Sequence, residues 1–406
     1  MSETQHGRIV LLEGIHPSAE ARLETTGMEI VRMDGSLEKS ELQEVLREAT
    51  MLGIRSRTRL DEALIRDAPN LQAIGCFCIG TNQVDLACSA TLGIPVFNAP
   101  FSNTRSVAEL TLAEIVMLMR RIPQRSADMH AGRWRKSAAG SREVRGRTLG
   151  IIGYGHIGSQ LSILAEAIGM RVVYHDHISK LPLGNAHPAK DLDELLATSD
   201  VVSLHVPATP ATRNMIDAEC LARMKPNALL INNSRGDVVE IEALVKAIES
   251  GRLGGAAIDV FPEEPRSGNS AFETPLAGLE NVLLTPHIGG NTLEAQASIA
   301  DEVGEKLVRF AREGTTGTAV NLPTVDLPSR GEGQHRILHF HRNVPGVLGK
   351  MHSALADLGV NINAEYLQSQ GDLSYVILDV DPADENAIRT ELEKIPETIR
   401  MRIIVD

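Results

Sequence analysis

Arg235, Glu264 and His287 are a guanidinium, a carboxylate and an imidazole, and each falls just past an apolar run that reads as a strand: Ala228–Asn232, Ala256–Asp259 and Asn281–Leu284. In a parallel sheet the C-terminal ends of the strands share one edge, which would gather the groups there. Arginine can hold a carboxylate by two charge-assisted bonds and polarise a keto oxygen. Histidine can take a hydroxyl proton and return it, with a carboxylate behind it to fix its tautomer and raise its pKa. That combination suits the oxidation of a 2-hydroxy acid by hydride transfer. His205, after the strand Val201–Leu204, shares the edge and is a rival base; the nearby Pro207 suggests a wall of a cofactor pocket instead.

A hydride acceptor has its own signature. Gly153-Tyr-Gly155-His-Ile-Gly158 follows the strand Thr148–Ile152 and opens a helix over Ser159–Ile168. The next strand, Arg171–His175, leads into Asp176. A glycine triplet alone is weak, but between strand and helix, with an acid closing the second strand, it is a dinucleotide fingerprint. Gly153 permits the turn, Gly155 lets backbone approach a pyrophosphate, and Gly158 lets the helix pack close to the sheet. The phosphates would rest on the helix N-terminus. Asp176 would bind a ribose diol and repel a 2′-phosphate, so NAD is preferred over NADP.

The elements that must position these groups divide the chain. With 406 residues, it is too long for one ordinary core. Residues 8–102 alternate strands with helices and read as the first part of a substrate-binding domain. Residues 103–290 repeat the alternation as a nucleotide-binding domain, opened by a helix over Asn103–Arg120. The helix Thr292–Glu313 returns the chain to the first domain, whose second part is 291–325. A Pro-, Gly- and polar-rich linker, 326–334, leads into 335–406, where the order of elements is βαββαβ. The expected fold is therefore α/β: two Rossmann-like doubly wound parallel-sheet domains and a C-terminal ferredoxin-like domain. The last is small and would leave an edge or face open for pairing with another copy.

Composition excludes several classes. The net charge is −13 and only 3% of residues are aromatic, against nucleic-acid or anionic-membrane binding. Cys76, Cys78, Cys88 and Cys220 are too few for a disulfide framework, and Cys76-Phe-Cys78 lacks the second pair of a zinc site, so no metal is expected. No secretory signal or membrane span is visible, and the chain reads as cytoplasmic.

Gly153–Gly158, Ser234-Arg235-Gly236, Asp259–Glu264 and Thr285–Gly290 together resemble the D-2-hydroxyacid dehydrogenase family. Ile54-Arg-Ser-Arg-Thr58, Ile74–Asp85, Phe97–Glu109 and the tail resemble its bacterial phosphoglycerate-oxidising branch, which carries a C-terminal ACT domain. The resemblance implies NAD-dependent oxidation of 3-phosphoglycerate to 3-phosphooxypyruvate, the first step of L-serine biosynthesis. Reduction of 2-oxoglutarate to 2-hydroxyglutarate is an expected side activity. It makes Arg235, Glu264 and His287 catalytic, with His287 the acid/base. It assigns NAD contacts to Gly153, Gly155, His156, Ile157, Gly158, Asp176, Asn233, Ser234, Arg235, Asp259, His287, Ile288, Gly289 and Gly290. A phosphorylated substrate needs remote positive charge, for which Arg55, Ser56 and Arg57 are candidates, with Lys136 from its own or a neighbouring subunit. His341, Asn343 and Asn361 would bind L-serine between paired ACT domains as a feedback effector, within a homo-tetramer. Glu332, in Gly331-Glu-Gly333, stands where a paired-glycine hinge is expected and would weaken that inhibition. The competing readings are a dehydrogenase for another 2-hydroxy acid and an NAD-sensing, non-enzymatic scaffold of the corepressor type.

Overall fold

The computed structural model describes residues 7–265 and 271–405. In chain order the first elements are β1 (Arg8–Leu11), α1 (Ser18–Leu23), β2 (Glu29–Arg32), α2 (Lys39–Glu48), β3 (Met51–Ile54), α3 (Glu62–Arg66), β4 (Ala73–Cys76), α4 (Leu86–Thr91) and β5 (Val96–Asn98). There follow α5 (Thr104–Met119), α6 (Ile122–His130), β6 (Thr148–Ile152), α7 (His156–Ala167), β7 (Arg171–His175), β8 (His187–Pro188), α8 (Leu192–Thr198), β9 (Val201–Leu204) and α9 (Ala218–Arg223). Then come β10 (Ala228–Asn232), α10 (Ile241–Glu249), β11 (Leu253–Ile258), β12 (Val282–Leu284) and α11 (Leu293–Glu313). The chain closes with β13 (His335–Arg342), α12 (Val347–Asp357), β14 (Ile362–Gln370), β15 (Leu373–Val380), α13 (Glu385–Glu393) and β16 (Thr398–Ile404). The compact units are 1–102 with 296–406, and 103–295.

In the second unit a seven-stranded parallel sheet runs β12-β11-β10-β9-β6-β7-β8. The strand order reverses beside β6, between β9 and β7, which is where a doubly wound sheet opens a ligand crevice. The strands are near-continuous Val, Ile, Leu and Ala because both faces are covered. Ile151, Leu229 and Ala257 face α5 and α7, whereas Val202, Leu230 and Ala256 face α8, α9 and α10. Asp191 and Asp217 open α8 and α9 by accepting N–H bonds from Glu194 and Cys220.

In the first unit the parallel sheet runs β2-β1-β3-β4-β5, with α1 and the Ile299–Ala311 part of α11 on one face and α2, α3 and α4 on the other. The C-terminal module is a four-stranded antiparallel sheet ordered β14-β15-β13-β16. One face carries α12 and α13. The other, with Leu338, Phe340, Tyr375 and Ile377, is buried against Leu322, Val325 and Ala90 of the same unit. Arg336, 1% exposed, pairs with Asp379 through both carboxylate oxygens and donates to the carbonyls of Glu313 and Pro328. Among the described residues no helix is long and apolar enough to cross a membrane.

The structure differs locally from the sequence reading. The helix expected over Asn103–Arg120 is followed at once by α6, because Arg121 takes a left-handed conformation and Pro123 suits the first turn of a new helix.

Candidate active site

The loop between β6 and α7 has the geometry a dinucleotide needs. A side chain on Gly153 would strike the His205 carbonyl, and one on Gly158 the Gly153 carbonyl. A side chain on Gly155 would meet nothing within 4 Å, which leaves its backbone open to a phosphate at the start of α7, where no side chain caps the helix. Asp176, just after β7, accepts the Tyr154 N–H at 2.8 Å and lies beside His177 at 3.0 Å. One of its carboxylate oxygens therefore braces the loop. His156 is exposed and Ile157 half-buried at the helix start. The open backbone at Gly155 and the carboxylate of Asp176 fit a dinucleotide such as NAD.

His287 sits in a left-handed conformation, φ 54°, strained for a residue with a side chain. Asp259 imposes it. Its carbonyl accepts the His287 N–H at 2.8 Å, and its buried carboxylate accepts Thr285 Oγ1 at 2.6 Å and the N–H groups of Ile288 and Gly289, both at 2.8 Å. The imidazole Nδ1 then lies 2.8 and 3.0 Å from the two carboxylate oxygens of Glu264. Glu264 in turn accepts the Phe261 N–H at 3.2 Å.

The hydrogen bond to Glu264, and then its charge, hold the His287 imidazole above its usual range, against burial and Arg235. Burial alone would raise Glu264; the bond and charge of His287, the Phe261 N–H and the charge of Arg235 outweigh it and hold the carboxylate low. The pair is therefore a carboxylate beside an imidazole with Nδ1–H, whose Nε2 lone pair points away from the partner. Arg235, half-buried, is near enough for its charge to act on both. Gly236 brings the two loops together, because any side chain there would overlap the Phe261 backbone.

His205 is unsuited to be the base. It is half-buried, with Nε2 2.9 Å from Ser203 Oγ, and loss of solvent around the ring pushes its pKa down to about 4.

Sequence reasoning missed Glu114, 2% exposed in α5. Its carboxylate accepts from Asn233 Nδ2 at 2.7 Å, and Thr111 Oγ1 accepts from the same nitrogen at 3.0 Å. Burial pushes Glu114 up to about 7, with Asn233 opposing and the Asp259 charge adding to the rise. Asn233 thereby anchors Ser234 and Arg235 from below; a lone glutamate at an apolar helical position was the available signal.

In the first unit, Arg55, Ser56 and Arg57 leave the end of β3 on a loop held by Glu13, which the sequence reading also missed. The Glu13 carboxylate accepts N–H bonds from Arg55 at 3.2 Å, Arg57 at 3.0 Å and Thr58 at 2.8 Å. Arg55 is half-buried, and Ser56 and Arg57 are exposed. Lys136 is exposed beside Arg133 and Arg135, which are tied to Asp128. In the C-terminal module a cavity of about 330 Å³ is lined by His341, Asn343, the Val344–Gly349 turn, Leu367 and Ser374. Asn343 donates to the Gly371 carbonyl, and Gly346 rather than a side chain begins α12, so neither His341 nor Asn343 is spent on capping. Asn361 lies outside this cavity, exposed and bonded to Asn363.

Residues 112–289 match the NAD binding domain of the D-isomer specific 2-hydroxyacid dehydrogenases, and 337–400 match the AHAS small subunit-like ACT domain. A crystal structure of D-lactate dehydrogenase with NAD+ from Lactobacillus jensenii superposes with a TM-score of 0.64 at 26% identity, covering 75% of this chain and 96% of that one. The fold is thus that of an NAD-dependent 2-hydroxyacid dehydrogenase. D-3-phosphoglycerate dehydrogenase of Haemophilus influenzae is 52% identical over 398 residues, covering 98% of this chain and 97% of the relative. That of Escherichia coli is 51% identical over 401 residues, with 98% and 97% covered. The chain belongs to the D-3-phosphoglycerate dehydrogenase family, and is an NAD-dependent enzyme of the type with a C-terminal ACT domain.

Proposed function

We propose that this enzyme oxidises 3-phosphoglycerate to 3-phosphooxypyruvate as the first step of L-serine biosynthesis, with L-serine as feedback effector. The observation that carries the chemistry is His287, its Nδ1 on Glu264 and its Nε2 available, beside Arg235. Arg235 holds the substrate carboxylate and polarises the C2 oxygen. His287 Nε2 takes the C2 hydroxyl proton, and Glu264 stabilises the imidazolium that forms. NAD, when bound, accepts the hydride. Asn233, Ser234, Asp259 and Ile288–Gly290 hold the nicotinamide end of the site, and Gly153–Gly158 with Asp176 the rest. In the reverse direction the imidazolium returns the proton to the keto oxygen.

The substrate phosphate is assigned to Arg55, Ser56 and Arg57, with Lys136 supplying further charge. The same cations would accept the second carboxylate of 2-oxoglutarate, which makes its reduction a side activity. L-Serine is assigned to His341, Asn343 and the amides that begin α12, with Asn361 contributed across a pair of ACT domains. The exposed edge strand β14 supports that pairing, and α5 with the Trp134 segment would pair the nucleotide-binding domains to give a tetramer.

The test is NADH oxidation with 3-phosphooxypyruvate and, separately, 2-oxoglutarate, with L-serine added in steps. Turnover of the phosphorylated keto acid that serine suppresses is the expected result. Turnover indifferent to serine would overturn the regulatory assignment, and a strong preference for 2-oxoglutarate would overturn the substrate assignment.

A further inference from the structure

Behind the ACT cavity lies a hydrogen-bonded chain whose direction can be worked out. Thr398 Oγ1 donates to the Leu392 carbonyl at 3.1 Å, so its oxygen is left to accept from His339 Nε2 at 2.9 Å. The proton of a neutral His339 is therefore on Nε2, and its Nδ1 is an acceptor. That Nδ1 lies 3.2 Å from His341 Nδ1, with the rings 5.2 Å apart. His341 must then be the donor and carry its proton on Nδ1. Its Nε2 is left as a lone pair, on a residue that lines the cavity.

We propose that His339 is a positioning residue of the effector cavity: through Thr398 it fixes His341 as the Nδ1–H tautomer and so selects a ligand that presents a hydrogen-bond donor, an ammonium or hydroxyl group, to His341 Nε2. This deepens the serine-effector reading and rests on it. Two surroundings support the neutral form. His339 is wholly buried, and burial followed by the proximity of His341 pushes its pKa down to about 3. Burial also lowers His341, against the His339 carbonyl and the Glu397 carboxylate, which favour a proton. Glu397 is bonded by Lys350 of α12 at 2.7 and 2.9 Å, which draws its charge away from the ring. From β15 and β14 the polar groups are Ser374, opposite His341, and its partner Ser369, both uncharged.

The test is calorimetric titration of the full-length enzyme with L-serine. Wild type is compared with His339→Leu, which removes the acceptor, His339→Asn, whose amide oxygen can replace Nδ1, and Thr398→Val, which releases the anchor. The expected result is binding weakened about tenfold or more in His339→Leu and about threefold in Thr398→Val, with His339→Asn restoring most of the loss. Wild-type affinity should stay level through neutral pH and weaken on acidification as His341 gains a proton. Unaltered affinity in both His339→Leu and Thr398→Val, or affinity that rises on acidification, would overturn the inference while leaving serine as the effector. Absence of any serine binding by wild type would remove the effector reading itself, and this inference with it.

Discussion

Replacing Glu264 by glutamine removes the charge that holds His287 above its usual pKa while keeping the size of the side chain. Oxidation of a hydroxy acid needs neutral His287, so its rate rises with pH through the imidazole pKa. Loss of Glu264 lowers that pKa, and the acidic limb should move to lower pH. The amide can also donate to Nδ1 and place the ring proton on Nε2, where it blocks base catalysis. Hydrogen bonds to charged groups contribute about 1.5–3 kcal/mol, and this pair is partly exposed, at 48% and 36% of the side chains, which favours the lower half of that range. The expected loss in kcat/KM is therefore about 10- to 50-fold. Glu264→Asp keeps the charge at a longer reach and should fall between. The assay is the pH profile of kcat/KM for 3-phosphoglycerate oxidation by both variants. A limb that stays in place or moves to higher pH in Glu264→Gln would refute the reasoning.

Other consequences follow from particular contacts. Burial raises Glu114 from the ordinary 4.5 to about 7, so the folded protein binds more protons than the unfolded chain between those values. Stability should fall by about 3 kcal/mol as pH rises through that window, and Glu114→Gln should flatten the slope of the denaturant midpoint against pH. Asp176→Ala removes the proposed ribose acceptor and should raise KM for NADH about tenfold, more than that for NADPH, measured by steady-state kinetics. Asp379→Ala would leave Arg336 buried without its carboxylate and should cost about 3–5 kcal/mol in the stability of the C-terminal module, read by thermal unfolding. Gly236→Ala forces the Arg235 loop away from Phe261 and should reduce kcat with little change in fold, checked by activity beside circular dichroism.

The edge that gathers the candidate groups was legible because its signals are local: an apolar strand, then a polar residue, then a turn. The glycine loop, Asp176, Arg235, Glu264 and His287 all have that form. Glu13 and Glu114 were not legible, since each acts through bonds to residues remote in sequence, the Arg55–Thr58 amides and Asn233. The break between α5 and α6 depends on one left-handed arginine, a conformation that side-chain type does not announce. In the C-terminal module the sequence showed apolar strands but not what covers their second face. Phe340 stacks on Tyr375 at 3.9 Å and packs over Gly93, a contact between segments far apart in the chain.

We propose that His287 moves the proton in an NAD-dependent oxidation of 3-phosphoglycerate. The test is NADH consumption with 3-phosphooxypyruvate, wild type beside His287→Asn. The expected result is ready turnover by wild type and a loss of about 10²–10⁴-fold in kcat for the variant, with NADH still bound. An inert wild type, or a variant that turns over as fast as wild type, would contradict it.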